Sequence, residues 1–431
     1  MKALRFLTVL LMFSLGSDAA IKATKTDYWK SAQESLQKGD FDGALDSLDA
    51  LLKDEPEHTE ARLWRARILA DRGDVNEALN DVEAVLKANP QNAGAKAQRG
   101  FIFQKKGNID AAMADFNSAL RANPQDDWAL YCRGLIYAQR GERAAAKGDL
   151  DASIEINPRN PGAFLARGQV NLRTENFESA EADFIEATRL EPKNPAGHFG
   201  VGAVCYAQRR FQRAVDSFSE AIRISPKDSR PYSQRAYAYA ALEKVDKARS
   251  DFDKALELDP KEITALVGRA DVSRFEKRWD DALKDFNAAL EINPGEFRAL
   301  LGRASTFYVS GQYDKATADY AEVVKRFPEE PQPANDLAWM LATVPKDEVR
   351  DGKRAIELAE QACKITQYKN GAFLDTLAAS YAEDGDFEKA LHWQEEAAKN
   401  SAEESEEVQK QIAGRVELYR QKKPFRETPL Q

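Results

Sequence analysis

The chain has 431 residues, a formal net charge of −9 and a sequence pI near 5.3. An acidic balance of this size opposes the phosphate neutralisation on which nucleic-acid binding depends, so nucleic acid is not an expected partner. Charged residues make up 31% and hydrophobic ones 43%. With Ala, Leu, Glu, Asp, Lys and Arg dominant, this excludes a disordered chain and predicts helices throughout.

The first nineteen residues read as a signal peptide. Lys2 and Arg5 give a positive start, residues 6–15 an apolar core, and Ser17, Asp18 and Ala19 a small-residue cut site near Ala19. The expected location is therefore periplasmic or secreted. The apolar run is too short for an anchor, and no later stretch is long enough for an integral membrane span.

From residue 25 onward a strict period appears. Prolines stand at Pro56, Pro90, Pro124, Pro158, Pro192, Pro226, Pro260, Pro294 and Pro328, each 34 residues after the last. Phasing on them starts nine repeats at Lys25, Thr59, Ala93, Asp127, Pro161, Pro195, Ser229, Ile263 and Phe297. Each repeat holds two stretches with helical spacing, such as Leu130, Gly134 and Tyr137, or Ala112, Phe116 and Ala119. Gly39, Gly73, Gly107, Gly141 and Gly311 mark the turn between them, and the proline ends the second helix.

Gly100, Gly134, Gly168 and Gly202 are expected to face Ala112, Ala146, Ala180 and Ala214, letting the two helices approach. Phe116, Phe184, Phe218, Phe252 and Phe286 should then fill the space between hairpins. Seven repeats carry both Arg at position 7 and Asp at position 23, from Arg65 and Asp81 to Arg303 and Asp319, while the first and sixth lack both. Joint presence and joint absence predict an ion pair joining the two helices of a hairpin. Cys132, Cys205 and Cys363 fall singly among apolar neighbours and read as buried thiols rather than a disulfide framework.

After Pro328 the pattern is interrupted. Residues 331–404 read as two further hairpins, the first with an insertion around residues 345–350. Residues 405–421, with Val408, Ile412, Val416, Leu418 and Tyr419 at helical spacing, predict a capping helix. Residues 422–431, with two prolines, predict a flexible tail, disordered or loosely docked.

The proline ladder, small residues and aromatics resemble the tetratricopeptide repeat (TPR) family over residues 25 to about 404. The resemblance implies an all-α, right-handed α-solenoid of about eleven antiparallel helix hairpins and a C-terminal cap. The end block, with NDLAWMLAT and RVELYRQKKPFRE, is similar to one in exported TPR proteins of planctomycete-type bacteria. Family members that clamp chaperone C-termini use Lys and Asn at set first-helix positions. Here those positions read Leu63 and Arg67, Ala97 and Phe101, Tyr131 and Leu135, so that clamp is not implied.

No catalytic motif is found. His58, His198 and His392 stand in separate repeats without metal-ligand spacing, and no phosphate loop or nucleophile elbow occurs, so no catalytic residue, metal or cofactor is assigned. What remains is a stripe at positions 2, 5, 9 and 12 of the first helices, which the family places on the concave wall. Trp128, Tyr131, Leu135, Leu165, Phe199, Tyr206, Tyr237 and Tyr308 are the candidate ligand-binding residues, suited to a protein or peptide partner. The expected function is an exported scaffold without catalysis. Two other readings stay open: a structural or self-associating solenoid of the envelope, and an enzyme with an unrecognised site.

Overall fold

The computed structural model describes residues 27–401 and 405–428, so the predicted signal peptide lies outside the described residues. Among them, every regular element is helical. The chain divides into two compact units between Ile224 and Ser225.

The first unit holds six hairpins. They are α1 (Tyr28–Lys38) with α2 (Phe41–Asp54), α3 (Thr59–Arg72) with α4 (Val75–Ala88), and α5 (Ala93–Lys105) with α6 (Ile109–Ala122). There follow α7 (Asp127–Gln139) with α8 (Arg143–Ile156), α9 (Pro161–Arg173) with α10 (Phe177–Leu190), and α11 (Pro195–Ala207) with α12 (Phe211–Ile224).

The second unit continues with α13 (Ser229–Ala241) and α14 (Val245–Leu258), α15 (Ile263–Phe275) and α16 (Trp279–Ile292), and α17 (Phe297–Val309) and α18 (Tyr313–Arg326). The interrupted hairpin is α19 (Pro331–Thr343) and α20 (Gly352–Ile365), with a short 3-10 turn (Asp347–Val349) in its loop. The last hairpin is α21 (Gly371–Glu383) and α22 (Phe387–Asn400), and α23 (Glu406–Arg420) packs on α22. Both units are all-α solenoids.

Local chemistry sets these boundaries. Before five of the nine prolines, an Asn or Asp folds its side chain forward. Asn89, Asn123, Asn157, Asp259 and Asn293 each accept from the backbone N–H two residues on, at 3.0 to 3.2 Å. Up to the seventh repeat a second polar residue then caps the first helix, as Asn92 does by accepting from the Ala95 N–H at 2.9 Å, whereas Glu262, Glu296 and Glu330 make no side-chain cap. The turn inside each hairpin needs one residue in the left-handed region. Gly fills it at six repeats, but Glu175, Arg209, Glu243 and Lys277 adopt the same φ of 58–60° in repeats five to eight. The missing glycines therefore do not mean a missing turn.

Packing centres on position 24. Phe116, Phe218, Phe252 and Phe286 are wholly buried, each contributing about 1.5–3 kcal/mol by leaving water. Small residues on both sides make room for them. A Cβ at Gly202 would lie 2.6 Å from the Phe218 ring of its own hairpin, and one at Gly302 would lie 2.4 Å from the Phe286 ring of the hairpin before. Gly100 meets the Ala112 backbone as expected, at 3.1 Å, as well as Phe116, but Gly134, Gly168 and Gly202 face position 24 rather than the expected alanines; Gly134, for instance, meets Leu150 and Asp149. One ring is wedged by two hairpins, so neighbouring repeats are needed to complete a core.

All seven expected Arg–Asp pairs form, and all are bidentate. Arg133 donates from Nε and Nη2 to the two oxygens of Asp149 at 2.7 and 2.8 Å, with matching geometry in the others. Six of the seven aspartates are buried. In the first repeat the pair is replaced by a hydrogen bond between the Ser31 and Ser47 hydroxyls at 3.1 Å. Cys132, Cys205 and Cys363 are buried and unpaired, and burial pushes the Cys132 and Cys363 thiols up to about 12.

Of the two expectations for the tail, a flexible segment or a docked one, the described residues take the second. After α23 the chain turns back and residues 424–427 lie half-buried against α19, where the Glu427 N–H donates to the Thr343 carbonyl at 2.9 Å. Phe425, Arg426 and Glu427 each find a partner described below.

Candidate functional site

Within each unit the first helices of successive hairpins approach one another. α3 meets α5, α7 meets α9 and α9 meets α11; in the second unit α13 meets α15, α15 meets α17, and α19 meets α21. Second helices closely approach only first helices, apart from the terminal pair α22 and α23. Spacing is therefore tightest along the first helices, which form the inner wall of each unit. All eight candidate residues lie on first helices and all are half-buried.

In the first unit the structure gathers a cluster across three repeats. The Arg67 guanidinium stacks 4.7 Å from the Phe101 ring and 4.2 Å from the Trp128 ring, and those rings lie 5.4 Å apart. Asp71 holds Arg67 at 3.1 Å, and the Lys105 ammonium lies 5.2 Å from the Phe101 ring and 3.8 Å from Asp71. Tyr131 stands in the same apolar cluster as Phe101 and Trp128, its phenol pushed up to about 12 by burial. A Cβ at Gly162 would lie 2.9 Å from that hydroxyl, so glycine in the next repeat leaves room for it.

The remaining candidates spread along the wall. Phe199 packs on Phe218 at 5.5 Å and Tyr206 stands edge-on to Phe211 at 5.5 Å, while Leu135 and Leu165 are half-buried on earlier first helices. Trp128 and Tyr131 are thus gathered with Arg67, and the others occupy separate steps. Sequence reasoning passed over Arg67, Phe101 and Lys105 as wall residues. The signal for Arg67 and Phe101 was a cation and an aromatic at position 9 of consecutive repeats, with Lys105 one helical turn after Phe101.

In the second unit the wall is occupied by the chain's own groups. The Tyr237 hydroxyl donates to the Thr264 carbonyl at 3.0 Å and accepts from Arg298 at 3.2 Å, while Arg298 also reaches Asp271 at 3.1 Å. Burial pushes the Asp271 carboxyl above its usual range, against the pull of Arg274 and Arg298. Tyr308 donates to Glu427 of the tail at 2.5 Å, and burial with that carboxylate raises its phenol well above the ordinary value. The indole N–H of Trp339 donates to the other Glu427 oxygen at 2.6 Å.

Comparison with protein families matches residues 30–93, 165–229 and 275–331 to the tetratricopeptide repeat, residues 100–141 to the TPR repeat, and residues 229–262 to the tetratricopeptide repeat again. No curated protein matches the chain. Among solved structures, a tetratricopeptide repeat protein from Parabacteroides merdae is 21% identical with a TM-score of 0.48, covering 58% of this chain and 98% of its own. Yeast Tom70 is 16% identical with a TM-score of 0.44, covering 91% and 95%. The APC/C hetero-tetramer Cut9–Hcn1 is 14% identical with a TM-score of 0.48, covering 91% and 89%. Each is a likeness in fold alone.

Proposed function

Because the chain belongs to the tetratricopeptide repeat family, we propose that it is an exported protein-interaction scaffold that holds a segment of a partner protein along its first-helix wall. The observation that carries this reading is the Arg67, Phe101 and Trp128 stack beside Tyr131 on the inner wall of the first unit. Flat aromatic and guanidinium groups lose little rotamer freedom on binding and are the side chains on which protein interfaces concentrate their energy. Asp71 pairs with both Arg67 and Lys105 beside the stack, and Lys105 is its most exposed cation, so the wall offers apolar faces with alternating charge. That suits an amphipathic or extended peptide better than a small metabolite. The reading assigns binding and no chemistry. Export rests on the signal-peptide pattern of residues 1–19.

The test is affinity capture from cell-envelope extract with mature protein as bait. The Arg67→Ala and Trp128→Ala double variant should lose captured partners while keeping its helical circular dichroism. Unchanged capture by the folded variant overturns the wall as the binding face. The amino-terminal residue of the native protein, read on the same material, should lie just after Ala19; an intact Met1 overturns export by cleavage.

A further inference from the structure

The docked tail is the most specific set of contacts on either inner wall. Two neutral donors from different repeats, the Tyr308 hydroxyl and the Trp339 indole, take one oxygen each of the Glu427 carboxylate, at 2.5 and 2.6 Å. The Glu427 N–H bonds the Thr343 carbonyl at 2.9 Å, fixing the backbone as well as the side chain. Two residues earlier, the Phe425 ring lies 5.7 Å from Trp339 and 5.2 Å from the Arg415 guanidinium, which also faces Trp339 at 5.4 Å. Arg426 reaches the Ala342 carbonyl at 3.3 Å and pairs with Glu383 at 2.5 Å.

Arg415 donates to the buried Asp375 at 2.8 Å, and Gln394 donates to the same oxygen at 2.5 Å, so the base of the aromatic slot is held by bonds that do not involve the tail. Ala342, Ala379 and Ala382 stand at inner-wall positions where some repeats carry large residues such as Phe101, Tyr206 and Tyr308, which leaves space for a chain to lie. The segment that fills it has no regular structure after Arg420 and departs from α23 through Lys422 in the left-handed region. Extended backbone, one aromatic anchor and one carboxylate anchor two residues on are how grooves of this kind hold a peptide.

We propose that the slot formed by Tyr308, Trp339, Thr343 and Arg415 is a second peptide-binding site, selective for an extended segment with an aromatic residue followed two places later by a carboxylate, and that residues 425–427 occupy it as an internal ligand a partner must displace. The proposal rests on reading the first-helix wall as a protein-binding face. It concerns a different unit from the Arg67 and Trp128 stack, so either can fail alone.

A fluorescent peptide copying residues 422–431 tests it by polarisation. The tail is tethered a few residues from its slot, at high effective concentration, and should outcompete free peptide in the intact chain. The chain ending at Gln421 should therefore bind the peptide at least tenfold more tightly than the full chain does. Peptides carrying Phe425→Ala or Glu427→Gln should each lose at least tenfold in affinity for the truncated chain. If truncation abolishes the melting transition, the full-length Phe425→Ala and Glu427→Gln double variant serves in its place, with the same gain expected. Equal binding by full and opened chains, or indifference to either peptide substitution, overturns the proposal. A dimer in light scattering that dissociates when the tail is removed also overturns it, since the occupant is then the tail of a second copy.

Discussion

Arg133 shows what one side chain does in this molecule. Its Nε and Nη2 hold Asp149 across the hairpin, while Nη1 reaches back to Asn117 of the preceding repeat at 2.7 Å. Arg65, Arg167, Arg269 and Arg303 make the same backward bond to Asp49, Asp151, Asp253 and Asn287. The arginine therefore joins two repeats as well as two helices. Removing one partner of a buried pair leaves the other charge without compensation. Asp149→Ala should lower stability by about 3 kcal/mol, the low end for such a pair because the guanidinium keeps one exposed edge. Arg133→Leu with Asp149→Leu should cost about 1 kcal/mol or less, since apolar replacement of both partners is often neutral. The chain already contains that solution at the corresponding positions of the last hairpins, Leu337 with Leu358 and Leu377 with Trp393, which share apolar clusters. Urea unfolding decides the matter: a double variant as weak as the single one would mean that the pair matters only as packing.

At the scale of the hairpin, the turn shows how far periodicity could be read. Gly141 has φ 77°, a conformation that costs an L-residue about 1 kcal/mol. Gly141→Ala should destabilise by about that amount. Lys277→Gly should raise stability by less, because relief of strain at φ 60° is offset by the freedom glycine adds to the unfolded chain. Thermal unfolding of both variants checks this, and a neutral Gly141→Ala would show that the turn carries no strain. The helices, their order and the Arg–Asp pairs were legible because each depends on residues of one repeat recurring in phase. The glycine partners were read less well: helical spacing gives the face of a residue but not how deeply a ring from the next hairpin reaches across it. The tail's partners were missed for a related reason. Phe425 and Glu427 are held by Trp339 and Tyr308, 86 and 119 residues away in sequence, and no periodicity links them.

For the whole molecule, the backward bond has its own sequence trace. Position 25 is Asp or Asn before most of the arginines that need an acceptor. It is Ile185 before the repeat that has Val201 instead, and Ala321 before the one that has Leu337. Each joint is thus specified by the two repeats that meet there, as expected of an array stabilised by nearest neighbours. Excising residues 127–160 in phase would bring Asn117 opposite Arg167, restoring the same kind of bond. The shortened chain should keep its helicity per residue and a single cooperative loss of structure in that unit, yet lose capture of partners, because Trp128 and Tyr131 leave with the excised segment. Collapse of helicity would show that the joint is not transferable.

A chain whose joints are transferable can change its length one repeat at a time without inventing a new interface. The aspartates and asparagines at position 25 thereby act as connectors of a common gauge: repeats that carry them can be lost or copied, while those flanking Ile185 and Ala321 are keyed to a single neighbour and fix where the array must keep its present order.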